Sequence, residues 1–115
     1  MDDLDPEDQK IVLLARSARA RLPASEGAAV RDTDGRIYVA TTVDLPSLRL
    51  SAIQAAVAMA ICGGAGGLEA VALVTGSAKQ PAAADLAPVR ELGGPATPII
   101  LAAPDGTLRA TIKAG

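Results

Sequence analysis

What this chain lacks constrains its fold most: it has no Phe and no Trp, and Tyr38 is its only aromatic residue. Half of its residues are nonetheless apolar, too many for a chain disordered throughout. The interior must therefore be filled by Ala, Val, Leu and Ile, and the Ala and Gly content lets backbones approach closely. At 115 residues the chain has the size of a single domain spanning 1–115. A domain of about this size buries roughly two-thirds of the surface its unfolded chain exposes, enough for a core without disulfides.

The local signals give the order α-β-β-α-β-α-β-β. Asp5 can cap a first helix, Pro6 suits its first position, and Glu7 and Asp8 complement its positive end. Ile11, Leu14, Ala15, Ala18 and Leu22 form one apolar stripe, and Pro23 closes the element. A short strand over Gly27–Arg31 and an alternating one over Arg36–Val43 flank Asp34-Gly35, a hairpin turn signal. Leu45-Pro46-Ser47 reads as a loop into a helix over about Leu50–Cys62. That helix is apolar nearly all round, so it is expected to be buried on all sides, or to meet another subunit as well. Gly63–Gly67 ends it. Ala70–Thr75 is a continuous apolar run, expected to be a strand covered on both faces. After a loop over Gly76–Gln80, Pro81–Leu92 reads as a helix kinked or restarted at Pro88, since an interior proline costs about 3 kcal/mol. Gly93-Gly94 stops it. Pro98–Ala103 and Thr107–Lys113, joined by Pro104-Asp105-Gly106, are the last two strands. This order predicts an α/β fold, a three-layer α/β/α sandwich around a five-stranded mixed sheet.

Several chemistries are unsupported by composition. There is no histidine and only one cysteine, so Ser–His and Cys–His nucleophiles are excluded, and soft metal ligands are scarce. A net charge of −2 and a single aromatic residue give no attraction to nucleic acid or to an anionic membrane, and no stacking platform. No apolar run reaches the ~18 residues of a membrane helix, and the opening Met1-Asp2-Asp3-Leu4-Asp5 is acidic, unlike a signal peptide. The expectation is a cytoplasmic protein, with Cys62 a small buried hydrophobe. Arg16, Arg19 and Arg21 are expected on a solvated helix face. Gly63–Gly67 follows a helix and lacks the Lys-Ser/Thr of a phosphate loop. Among Asp44, Glu69, Asp85 and Glu91, no spacing singles out a catalytic carboxylate pair, and no motif supports a magnesium site.

Several stretches resemble the small cytidine deaminases that act on free nucleosides. Glu26-Gly27-Ala28-Ala29-Val30 is similar to their first strand and Asp34-Gly35-Arg36-Ile37-Tyr38 to the hairpin that follows. Thr42-Val43-Asp44-Leu45-Pro46-Ser47 resembles their Asn-Val-Glu-Asn-Ala-Ser loop, and Leu50-Ser51-Ala52-Ile53-Gln54-Ala55 the helix that carries Cys-Ala-Glu. Gly94-Pro95-Ala96-Thr97-Pro98-Ile99-Ile100-Leu101-Ala102 with Pro104-Asp105-Gly106 is similar to the strand and turn after the third helix. The resemblance covers roughly residues 5 to 113.

It implies a zinc site that these residues do not supply. In the family, three cysteines, or one histidine and two cysteines, hold a zinc-bound hydroxide, and a glutamate shuttles protons. The first ligand position falls on Ile53, the glutamate position on Ala55, and the Pro-Cys-x-x-Cys pair on Ala82 and Asp85 after Pro81. The ribose-binding Asn and Glu positions fall on Thr42 and Asp44. The chain stops at Gly115, short of the segment that in the family helps close a neighbouring subunit's site. The expectation is a non-catalytic protein without cofactor or metal, acting as a self-assembling dimer or tetramer or binding another protein. The alternative is a small-molecule sensor using Thr42 and Asp44. A deaminase with an atypical metal site is the remote third reading.

Overall fold

The computed structural model describes residues 4–22 and 25–115. The N-cap signal works as read: the Asp5 carboxylate accepts the Asp8 N–H at 2.9 Å and starts α1 (Pro6–Arg21). Its buried face is Ile11, Val12, Ala15 and Ala18. Leu22 leaves the expected stripe because it lies past the last helical residue, in extended backbone, and is exposed; Val12 takes its place. The proposed stop at Pro23, like the acidic Met1-Asp2-Asp3, lies outside the described residues.

β1 (Glu26–Asp32) turns through Asp34-Gly35 into β2 (Ile37–Thr41). Gly35 takes a positive φ of 83°, the conformation this turn requires of its glycine. The chain then departs from expectation. β2 ends at Thr41, and the stretch read as strand end and loop forms a separate hairpin, β3 (Val43–Leu45) and β4 (Leu48–Leu50), paired Val43 with Leu50 and Leu45 with Leu48. Pro46-Ser47 is the two-residue link, tight enough to let its flanks pair.

Because Leu50 belongs to β4, α2 (Ala52–Cys62) begins two residues later than read, at a capping box. The Ser51 hydroxyl accepts the Gln54 N–H at 3.1 Å, and Gln54 Oε1 accepts the Ser51 N–H at 3.0 Å. The helix is not buried on all sides. Ala52, Ile53, Ala55, Ala56, Val57 and Ala60 face the core, while Ala58, Met59, Ile61 and Cys62 face outward. Cys62 is exposed, contrary to the buried hydrophobe expected. The reason is layering: α2 rests on one face of the sheet, and among the described residues no further layer covers its last two turns.

β5 (Leu68–Thr75) leads to α3 (Ala83–Gly93), then β6 (Pro98–Ala102) and β7 (Leu108–Lys113). Pro88 neither ends nor restarts α3, which is continuous. A proline strips the donor from the carbonyl four residues earlier, here Ala84. Gln54 Nε2 donates to that carbonyl at 3.3 Å and replaces the missing bond from outside the helix.

The five strands order as β2-β1-β5-β6-β7, with β5 and β6 parallel and all other pairs antiparallel. This is the expected mixed sheet with helices on both faces. Alternate residues divide the core. Ala28, Val30, Val71, Leu73 and Ile99 pack with α2 and Val89 of α3. Ala29, Ala70, Ala72, Val74 and Ile100 pack with α1. No helix is long and apolar enough to cross a membrane among the described residues.

Candidate functional site

The start of β1, the capped start of α2 and the start of α3 meet at one end of the sheet. The Gln54 to Ala84 bond ties the two helix starts together. Helix N-termini carry partial positive charge, so this is where an anion, or a metal held by thiolates, would be stabilised.

The positions the family resemblance singles out sit here with the wrong chemistry for zinc. Ile53 is fully buried in the core with Val57 and Val89, and Ala55 is buried two residues along. Ala82 is the N-cap residue of α3, exposed, and makes no side-chain cap bond. Asp85 is half-buried in the first turn of α3. One carboxylate and two apolar side chains do not make a zinc donor set. The one cysteine, Cys62, stands nine residues beyond Ile53 at the far end of α2, roughly 14 Å along the helix axis. Among the described residues no three of His, Cys, Asp and Glu are grouped to hold a metal.

Thr42 reaches this group only through its backbone, at the start of β1, and Asp44 is not brought into it. The Thr42 hydroxyl lies 3.2 Å from the Ser25 hydroxyl, and its N–H donates to Glu26 O at 3.3 Å. Asp44 is exposed on the β3–β4 hairpin, opposite Arg49, whose Nε lies 3.4 Å from Asp44 Oδ1. The other carboxylates considered also stand apart: Glu69 pairs with Arg31 at 2.9 Å on the α1 side, and Glu91 is exposed in α3.

The residue that sequence reasoning missed is Glu26. It opens β1 opposite Thr75, the last residue of β5. Burial holds its carboxyl above the ordinary glutamate range, and the nearby Asp85 carboxylate adds to the rise. Hydrogen bonding from the Ala52 N–H and from Thr75 offsets this in part. The site therefore holds two acids, Glu26 and Asp85, at the start of two helices. The sequence signal for Glu26 was an acid directly before an apolar stretch, Gly27–Val30.

This arrangement has a pH signature. A carboxyl whose folded pKa is raised binds its proton more tightly folded than unfolded. Its contribution is favourable below the ordinary glutamate pKa and is lost as pH rises through the folded value. Glu26→Gln removes the charge and keeps an acceptor for the Ala52 N–H. The expected result is a thermal midpoint a few degrees above the parent's at pH 7, with the difference vanishing near pH 4. Melts across that range check it; a variant less stable at pH 7 would mean the carboxylate is held favourably after all.

Comparison with known proteins agrees with this fold. The family model described as cytidine deaminase-like matches residues 4–106. The cytidine deaminase from Burkholderia pseudomallei superposes with a TM-score of 0.80 at 26% identity, covering 92% of this chain and 91% of its own. The enzyme of that name from Mycobacterium leprae gives 0.74 at 26% identity, over 96% and 95%. That from Mycobacterium tuberculosis gives 0.70 at 29% identity, over 91% and 90%. No curated protein gives a significant match. The chain thus belongs to the cytidine deaminase-like family.

Proposed function

We propose that this chain is a non-catalytic member of the family that works by protein contact, either with its own copies or with another protein. The observation that carries this reading is the occupancy of the former reaction centre. By the family resemblance, the metal-ligand positions fall on Ile53, Ala82 and Asp85, and the proton-shuttle position on Ala55. A methyl group at Ala55 can neither accept nor donate a proton, and Ile53 closes the space with core packing.

Self-contact is supported by what α2 leaves uncovered. Met59 and Ile61, in its last turns, are 47% and 58% exposed. Two large apolar side chains left open on one helix end favour association. The sensor reading has less support, since Thr42 and Asp44 are both engaged locally.

Two measurements test the proposal. The solved relatives are cytidine deaminases by name, so the activity to assay is ammonia release from cytidine, with and without added zinc, alongside metal analysis. The expected result is no release above buffer and far less than one zinc per chain. Metal-dependent release that is lost in Asp85→Ala would overturn the non-catalytic reading. Light scattering addresses the second half. The parent chain is expected as a dimer or larger, and Met59→Glu combined with Ile61→Glu as a monomer. A monomeric parent would remove self-assembly and leave binding to another protein.

A further inference from the structure

β7 carries one residue more than β6 pairs. Ala110 lies opposite Leu101 and Leu108 opposite Ala102, so Arg109 is the extra residue of a bulge. Bulges re-aim side chains and are common beside functional sites. Here the bulge sends Arg109 to the segment that follows β5, where Nη1 donates to Thr75 O at 2.9 Å and to Ser77 O at 2.6 Å. Both bonds use one nitrogen, and a guanidinium has five N–H donors.

Beside this contact opens a cavity of about 180 Å³. Ser77, Lys79, Gln80 and Arg109 give it a polar wall, and Leu101 and Ala110 an apolar one. It lies at the carboxyl ends of the parallel pair β5 and β6, the end of an open α/β sheet at which ligands bind. Its charged lining is wholly cationic, although the chain as a whole carries −2. Arg19 adds to the positive field from the α1 side: its Nη2 lies 4.0 Å from where a Cβ on Gly76 would be.

We infer that this cavity binds a phosphate-class anion, either free phosphate or a small phosphate monoester. Lys79 supplies a mobile point charge, and Arg109 a planar donor already held in place by its two carbonyl bonds. The apolar wall would receive the ester group of a monoester. The cavity adjoins the Glu26–Asp85 group through Thr75, which lines it and bonds Glu26, but the inference does not depend on the non-catalytic reading.

The test is a titration of the whole chain with sodium phosphate, and separately with phenyl phosphate, followed by backbone amide shifts at constant ionic strength with chloride as the balancing anion. Saturable shifts confined to Ser77–Gln80 and Arg109–Ala110 are expected. Lys79 is exposed, so Lys79→Ala leaves the fold intact, and it should weaken binding roughly tenfold, the size of one charge-assisted contact. Arg109→Lys keeps the charge but loses the fork, and should also weaken binding. Tighter binding of phenyl phosphate would assign a monoester; equal binding would assign the free anion. Shifts that never saturate, that fall elsewhere, or that persist unchanged in Lys79→Ala would overturn the inference.

Discussion

Gly27→Ala is expected to lower the thermal midpoint by roughly 10 °C, a loss of about 3 kcal/mol in a domain of this size. Gly27 is buried in β1 beneath α1. A Cβ there would overlap the Ala15 carbonyl oxygen and lie 3.0 Å from both the N and the Cβ of Arg19. Backbone cannot rotate away as the end of a long side chain can, so α1 would have to lift from the sheet. That face of the core is built for closeness: Ala15 and Ala18 of α1 meet Ala29, Ala70 and Ala72 of the sheet. Gly27 does not have positive φ, so the cost is one of space and not of backbone conformation. Gly66→Ala is the matching control, because a Cβ there meets nothing within 4 Å. It should be neutral or slightly stabilising through the unfolded chain. Thermal melts of the two variants check the contrast; equal midpoints would mean that α1 does not sit this close to β1.

Most of the fold was legible because the strands carry clear patterns. β2 alternates Ile37 and Val39 toward α1 with Tyr38 and Ala40 toward α2, and β5 is apolar throughout the stretch read as doubly covered. What escaped depends on contacts distant in sequence. Nothing local to Pro88 announces that Gln54 will satisfy the Ala84 carbonyl. Nothing in the composition of α2 says which of its apolar residues the sheet will leave uncovered. The β3–β4 hairpin is three residues a side, too short to show a period. The site followed the same division. Ile53, Ala55, Ala82 and Asp85 could be placed by resemblance. Glu26 reaches Asp85 only through the pairing of β1 with β5 and the capped start of α2, neither of which is visible at Glu26 itself.

Asp32 gives the second large effect, and it lies at the hinge between the β1–β2 hairpin and the end of α2. Its carboxylate is fully buried. It accepts the Asp34 and Arg36 N–H groups and Arg36 Nε, each at 2.9 Å, and the Tyr38 hydroxyl at 3.3 Å. Arg36 then donates from Nη1 to Gly63 O at 3.0 Å, and the Tyr38 ring fills the space a side chain at Gly63 would need. Asp32→Ala strands all four donors at once, three of them on Arg36 and Tyr38, the residues that hold Gly63. The expected loss is roughly 10 °C in the thermal midpoint, the cost of leaving several donors without their buried acceptor. Burial alone would raise the Asp32 pKa. The two N–H groups, the Arg36 charge and the Tyr38 hydroxyl outweigh it, so the folded pKa lies below the ordinary aspartate value. Between the folded and unfolded values the unfolded chain therefore binds more protons. The Asp32 contribution is whole above about pH 4 and is lost as pH falls through the folded pKa. Glu26 acts in the opposite sense above that range, so the two groups together favour a stability maximum near pH 4 to 5. Asp105 is also held low, by bonds from Thr107, so part of the acid slope belongs to it. Midpoints from about pH 3 to 7 separate the contributions: Asp32→Asn should flatten most of the acid limb, Asp105→Asn a smaller part. An unchanged limb in Asp32→Asn would mean that the buried carboxyl is already protonated in the folded chain, and that the Arg36 guanidinium is held by Gly63 and Asp34 instead.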